Sequence, residues 1–406
     1  MEIMQAKELV IKAGKELIES GLIARTWGNI SCRISDTQFV ITPSGRAYET
    51  LTPEEIVLVN IEDLEYEGEI KPSSEKGIHA ACYKLRPEIG FVIHTHQVNA
   101  SIVSAIGMDI NGIDGENAKV VGDNLPIASY GLPGTKKLRK GVIDAITRSD
   151  SKAAVMAHHG AVCMGVDYDD AFNVAKCVED ICEQFVITKY ESLTGTVANG
   201  LETINDYVVD TFVKKPLTAP EFPACKSERD GSVFNISLVD GDGAITRIDI
   251  ETGDVIAGDG CEESIELHRA VYKKRDDVNF IYHTKDPFTV ACSKMGKTMR
   301  PLIDDFAQIV GVTVKHAGYN PNNSLATSKK VVKKLKGRNA VLLDNNGALC
   351  VAGSEYDAGA IEFITNKGAK IQVCSKLYGK EKPINPVETR IMNLVYRLKY
   401  SKQAGK

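Results

Sequence analysis

Apolar residues recur at helical spacing along MEIMQAKELVIKAGKELIESG (residues 1–21), broken by charges, and predict an amphipathic helix. A second helix is predicted from about 74 to 85, leading through Phe91, Val92 and Ile93 into a strand over 90–95. VVGDNLPIAS (120–129) and AAVMAHH (153–159) read as further strands, and a long helix follows Tyr168. PLTAPEFPACKSERDGS (216–232), rich in Pro and polar residues, reads as a linker between a domain at 1–215 and another at 233–406. NPVETRIMNLVYRLKYSKQ (385–403) predicts a terminal helix with Asn385 as cap and Pro386 at its first position.

At 406 residues the chain exceeds one ordinary core, which agrees with two domains of the α/β class. Its 43% apolar and 25% charged residues are those of a soluble globular protein. With a net charge of −5 and no basic tract, nothing points to nucleic acid or a membrane surface. The Lys-rich KKVVKKLKGR (329–338) reads as a solvated helix face. No run approaches the roughly 20 apolar residues of a membrane span, and the first helix is no signal peptide. Ten cysteines without a CxxC pair predict reduced, buried thiols in a cytoplasmic protein.

The chain repeats itself. At a constant offset of 189 residues, His79 meets His268, Tyr83 meets Tyr272, Arg86 meets Arg275 and His94 meets His283. HHGAVCMG (158–165) faces NNGALCVA (345–352), and GNIS (28–31) is set against FNIS (234–237). This is a tandem duplication whose copies can be read against each other.

His94 and His96, two apart on a strand, project to one face and suit one metal ion. One of His158 and His159 supplies a third imidazole, the two pointing to opposite faces. In the second copy His96 becomes Lys285, His159 becomes Asn346 and Glu75 becomes Ser264, a joint loss expected of a discarded metal site. His79, Tyr83, Gly160 and Cys163 survive there and read as structural. TWGNIS (26–31), TPSG (42–45) and PSSE (72–75) offer Gly, Asn, Ser and Thr at turns, with Ser73 and Ser74 opening a helix, a ready anion site. The second copy has no TPSG, so anion loop and metal ligands are read as serving one substrate. Glu75, beside those serines, is placed to act as ligand, base or each in turn.

These motifs, in order over residues 1 to about 190, resemble the class II aldolase/adducin family, most closely its L-fuculose-1-phosphate aldolase branch. The resemblance implies a three-layer α/β/α domain, here present twice, the second degenerate. It implies Zn2+, or another divalent metal, on His94, His96 and His159, with Glu75 as fourth ligand and catalytic acid/base. It implies a substrate phosphate on Gly28, Asn29, Ser44, Gly45, Ser73 and Ser74. It also implies a homo-oligomer that cleaves a ketose phosphate to dihydroxyacetone phosphate and an aldehyde, the second domain serving as scaffold. The related 4-epimerases carry Asp where Glu75 stands. One family feature is missing: the stretch GIDGENAKVVGDN (112–124) lacks the aldolase tyrosine, and Asp114 or Glu116 is the substitute on offer. A sugar-phosphate epimerase, dehydratase or decarboxylase is the competing reading. A non-catalytic adducin-like interaction module is the reading of another class. Tyr396 and Tyr400 are candidates to be lent to a neighbouring site, an ordinary docked helix being the plainer account.

Overall fold

Successive residues along one strand enter two different cores: Phe91 and Ile93 join one, Val92 the other. That is the period-two geometry of a sheet buried on both faces. The computed structural model describes residues 1–23 and 27–400, with backbone alone at 399 and 400. Thr26 of TWGNIS and the Tyr400 side chain therefore lie outside the described residues.

The first compact unit comprises Met1–Thr196 and takes in Tyr378–Lys382 and Val395 onward; the second comprises Val197–Leu377 and Pro383–Leu394. The strands of unit one are β1 (Asn29–Arg33), β2 (Gln38–Ile41), β3 (Val57–Asn60), β4 (Phe91–Thr95), β5 (Ile110–Asn111), β6 (Asn124–Leu125), β7 (Ile127–Ala128), β8 (Ala153–Met156) and β9 (Ala161–Gly165). Seven form a sheet in the order β3-β2-β1-β4-β9-β8-β7, antiparallel except for β7 on β8. The helices are α1 (Ile3–Glu19), α2 (Lys76–Leu85), α3 (Val98–Ile106), α4 (Gly115–Val121), α5 (Lys136–Thr147) and α6 (Tyr168–Thr194). α1, α3 and α6 close one core and α2 and α5 the other, which makes three layers.

Unit two contains β10 (Cys225–Asp230), β11 (Val233–Leu238), β12 (Thr246–Asp249), β13 (Val255–Ala257), β14 (Phe280–Thr284), β15 (Lys315–Ala317), β16 (Ala340–Leu343) and β17 (Ala348–Ala352). Their order is β13-β12-β11-β10-β14-β17-β16-β15. Its helices are α7 (Ile204–Phe212), α8 (Glu262–Tyr272), α9 (Pro287–Lys294), α10 (Ser324–Leu335), α11 (Glu355–Ser375) and α12 (Pro386–Val395). Asn385 accepts from Val387 N at 2.8 Å, the expected cap of α12. No helix among the described residues is long and apolar enough to cross a membrane.

Two expectations need correcting. The stretch read as a linker contains β10, and the unit boundary falls at 196/197 because α7 packs on α9 and α11. β10 escaped notice because its outward residues are charged (Lys226, Glu228) and only Cys225 and Ser227 turn inward. For the same reason GNIS does not face FNIS. β10, beside β14, holds the place that β1 holds beside β4, so Ser31 corresponds to Ser227. The contacts agree: Ser31 Oγ lies 2.6 Å from His79 Nδ1 and 2.7 Å from Tyr83 OH, and Ser227 Oγ lies 2.7 Å from His268 Nδ1 and 2.8 Å from Tyr272 OH.

His79 and His268 are wholly buried, and burial pushes each imidazole down from 6.5 to about 3, with Glu75 opposing the shift at His79 and His283 adding to it at His268. Both are neutral when folded, whereas the unfolded chain takes up a proton at each as pH drops through 6.5. Between about 3 and 6.5 the unfolded state binds more protons, so stability falls as pH falls, by on the order of a few kcal/mol per group over the window. The urea midpoint of the protein should be level above pH 7 and fall steadily from pH 6.5 to 4. A profile level down to pH 4 contradicts the assignment.

Candidate metal centre

The site is built where strand ends meet. β4 runs antiparallel to β1 with Asn29 opposite His94, and antiparallel to β9, which returns from β8 through residues 157–160. The C-terminal end of β4, the N-terminal end of β1 and the β8–β9 turn therefore share one end of the sheet. β8 stops at Met156, earlier than the expected 153–159, because His158 turns the chain at φ +61°. Gly160 closes that turn: a Cβ there would meet Thr95 O at 2.0 Å, as one on Gly347 would meet Thr284 O at 2.0 Å. The glycine is thus a demand of the fold in both units, as the sequence comparison read it.

The turn separates the two histidines. His158 packs edge-on against Tyr130, with ring centroids 5.3 Å apart. His159 stacks on His94 at 4.8 Å and meets His96 edge-on at 4.7 Å. One ligating nitrogen each from His94, His96 and His159 falls within 4.8 Å of the others. His94 Nδ1 donates to Ala161 O at 2.9 Å, so in the neutral ring Nε2 bears a lone pair. Burial holds this imidazole well below its usual range, against the pull of Glu75, so the ring is neutral. Its Nε2 lies 3.1 Å from His96 Nε2 and 3.2 Å from Glu75 Oε2. The bare Nε2 of His94, steadied from behind by Ala161 O, and the neighbouring nitrogens of His96 and His159 suit a divalent cation.

Glu75 is the N-cap residue of α2 and is only 7% exposed. Burial works to raise its pKa, but His159 and His94, together with hydrogen bonds from His159 and Asn29, hold the carboxyl well below the usual range. Its Oε1 lies 3.1 Å from His159 Nε2, and its Oε2 accepts from Asn29 Nδ2 at 3.1 Å.

The loops expected to hold phosphate are tied together beside this carboxylate. Ser73 N donates to Thr42 O (3.0 Å), Ser44 N to Lys71 O (3.0 Å), and Glu75 N to Ser73 Oγ (3.2 Å). Gly28, at φ +114°, lies so close to β4 that a Cβ would meet His94 O at 2.6 Å. Gly45 turns the TPSG loop at φ +74°. Asn29 is tied in through its side chain: Nδ2 donates to Glu75, and Oδ1 lies 2.5 Å from His79 Nε2. Sequence comparison missed this link between His79 and Glu75. The signal was the pair Ser31 and Ser227, hidden by the FNIS match. Glu116 is 85% exposed and pairs with Lys119, and Asp114 lies at the start of α4; among the described residues neither touches the histidines.

Unit two shows what fills the corresponding place. His283 Nε2 donates to Asn346 O at 2.6 Å. Asn346 accepts from Phe222 N (3.3 Å) and donates to Pro220 O (3.0 Å), and Lys285 donates to Phe222 O (3.3 Å). The Phe222 ring, 3% exposed, packs on His283 and Tyr319 with centroids 5.1 and 5.0 Å away. A hydrophobic plug stands where unit one gathers imidazoles.

Comparison with known proteins gives this geometry a family. The profile of the Class II Aldolase and Adducin N-terminal domain matches residues 8–186 and again 238–373. The chain is 37% identical over 186 residues to a 5-methylthioribulose-1-phosphate/5-deoxyribulose-1-phosphate aldolase of Escherichia coli O45:K1, covering 46% of this chain and 85% of that protein. It is 33% identical over 188 residues to the L-fuculose phosphate aldolase of Escherichia coli K12 (46% and 86%). It is 28% identical over 224 residues to an L-ribulose-5-phosphate 4-epimerase of Salmonella paratyphi A (52% and 96%). With the profile matched in both units, and with relatives named as aldolases at 32–37% identity, the chain belongs to the class II aldolase and adducin N-terminal domain family and stands among its enzymes.

Proposed function

We propose that unit one is a divalent-metal-dependent aldolase, with zinc as the preferred ion, that cleaves a phosphorylated ketose to dihydroxyacetone phosphate and an aldehyde. The observation that carries this reading is Glu75, a buried carboxylate 3.2 Å from His94 and 3.1 Å from His159, at the N-cap of α2 and next to Ser73 and Ser74. A metal held by His94, His96 and His159 would supply Lewis-acid polarisation of the ketose carbonyl.

The protein's own groups do the rest. Gly28, Asn29, Gly45 and Ser74 offer N–H groups to the phosphate, and Ser44, Ser73 and Ser74 offer hydroxyls. A cavity of about 140 Å3 at the starts of α2 and α5, lined among others by Ser74, Lys76, Thr135, Lys136 and Arg139, adds three cations to that side. With the phosphate fixed, the C3–C4 bond lies over Glu75. Glu75, held ionised, takes a proton from the substrate hydroxyl and returns one to C3 as the bond breaks and the electron pair stays with the ketone fragment. Burial of Glu75, His94 and His159 keeps water from competing for that carbon.

A 4-epimerase is the second reading. It is favoured by the absence of tyrosine from residues 112–124 and by the epimerase among the relatives. An adducin-like module has no use for a buried Glu75 among three imidazoles. Unit two is read as scaffold in a homo-oligomer of pseudo-symmetric units, the arrangement that a tandem chain would build from fewer copies.

Metal quantification with a retro-aldol screen of phosphorylated ketoses tests the reading. His94→Ala combined with His159→Ala should remove both bound metal and turnover; retained turnover sinks it. Glu75→Gln should keep metal on the three histidines and lower kcat by roughly 10²–10⁴-fold. Epimer formation without dihydroxyacetone phosphate would move the assignment to the second reading.

Phe222→Ala should destabilise unit two by about 3–5 kcal/mol, read by urea unfolding. Below its unfolding temperature kcat should be unchanged; a selective loss of kcat in the folded variant would contradict a scaffold role.

A further inference from the structure

We propose that Asn29 is a positioning residue for Glu75, and that Tyr83, Ser31 and His79 act through it as a one-way chain of hydrogen-bond donors ending on that carboxylate. This rests on the reading of Glu75 as the acid/base, and it gives Asn29 a role beside the phosphate contact.

Each link has one permitted direction. An ionised carboxylate only accepts, so Asn29 must turn Nδ2 toward Glu75 Oε2, 3.1 Å away. That leaves Oδ1, also only an acceptor, facing His79 Nε2 at 2.5 Å, so Nε2 carries the ring proton. His79 is neutral in its buried place and has one ring proton, so Nδ1 is bare and accepts from Ser31 Oγ at 2.6 Å. The Ser31 proton is thereby committed, and Ser31 Oγ accepts from Tyr83 OH at 2.7 Å. Were the amide of Asn29 reversed, its oxygen would face the carboxylate and its NH2 the ring nitrogen. The carboxylate opposes that rotation, since two acceptor oxygens would then face each other at 3.1 Å.

Unit two separates this function from the fold. Tyr272, Ser227 and His268 repeat the first two links at 2.8 and 2.7 Å. There the chain ends: Cys225 stands in the place of Asn29 and Ser264 in that of Glu75, and among the described residues His268 Nε2 has no hydrogen-bond partner. The triad alone is a strut between a strand and a helix. With Asn29 added, the strut orients an acid.

Because the two triads are so alike, His79→Ala and His268→Ala form an internal control. Both should lower thermal stability to a similar degree. Only His79→Ala, with Asn29→Ala beside it, should weaken Zn2+ binding in a chelator competition, or lower kcat, on the order of 10–100-fold. KM for the ketose phosphate should hold in His79→Ala. In the metal-free protein, 15N spectra should show His79 protonated at Nε2 and bare at Nδ1. Equal stability losses with zinc affinity and kcat unchanged in both histidine variants would reduce the chain to a strut and overturn the proposal. An Asn29→Ala variant with raised KM, unchanged kcat and unchanged zinc affinity would leave Asn29 with the phosphate contact alone and overturn it too. If wild type turns over no ketose phosphate while zinc affinity still falls in the Asn29 and His79 variants alone, the aldolase reading fails and the positioning chain stands.

Discussion

An ionised carboxylate withdrawn from water must be met by donors, and the metal end of unit one is arranged around meeting that requirement at Glu75. The start of α2 places the group where backbone N–H groups are unsatisfied. β1 brings the Asn29 amide to one oxygen, and the β8–β9 turn brings His159 to the other. Each of these placements carries its own steric condition. β1 lies close enough to β4 only because residue 28 is glycine, and the turn closes only because residue 160 is glycine. His159, one of the imidazoles a metal would take, is thus also a group that makes a buried acid tolerable.

Unit two shows the consequence of removing the charge. With Ser264 in place of Glu75 there is no buried carboxylate to compensate, and nothing requires an amide at the Asn29 position or imidazoles at the other two. Lys285 and Asn346 bind backbone carbonyls instead, and Phe222 fills the space with apolar surface. The Tyr272–Ser227–His268 triad outlasts this change because it serves the packing of α8 on the sheet. Its survival explains why a residue can be structural in one unit and also serve chemistry in the other.

The layers and the histidine cluster were legible because their signals are local. Period-two burial along β4, the i and i+2 placement of His94 and His96, and the caps of the terminal helix depend on neighbours in sequence. The counterpart of β1 was not legible. Ser31 and His79 are 48 residues apart, whereas Ser227 and His268 are 41 apart. A constant offset cannot follow a loop shortened by seven residues, and the FNIS match drew the comparison one strand too far. Reading His79 as structural because His268 persists was correct about the strut. It could not reveal the amide beyond it, since that contact joins a helix to a strand 50 residues away.

The same geometry decides which residues can share the chemistry. On β1 the alternation sends Ile30 and Cys32 into the core of α1, α3 and α6, leaving Asn29 and Ser31 on the face of α2. On α2 the four-residue step from His79 to Tyr83 keeps both rings on the face turned to β1. A strand residue two positions from a strut must then point at the same helix as the strut, one step nearer the sheet's end. In unit one that step meets Asn29 and a carboxylate, and in unit two it meets Cys225. What stands two residues before a serine therefore separates the two ends of the same fold, together with the changes at Glu75, His96 and His159.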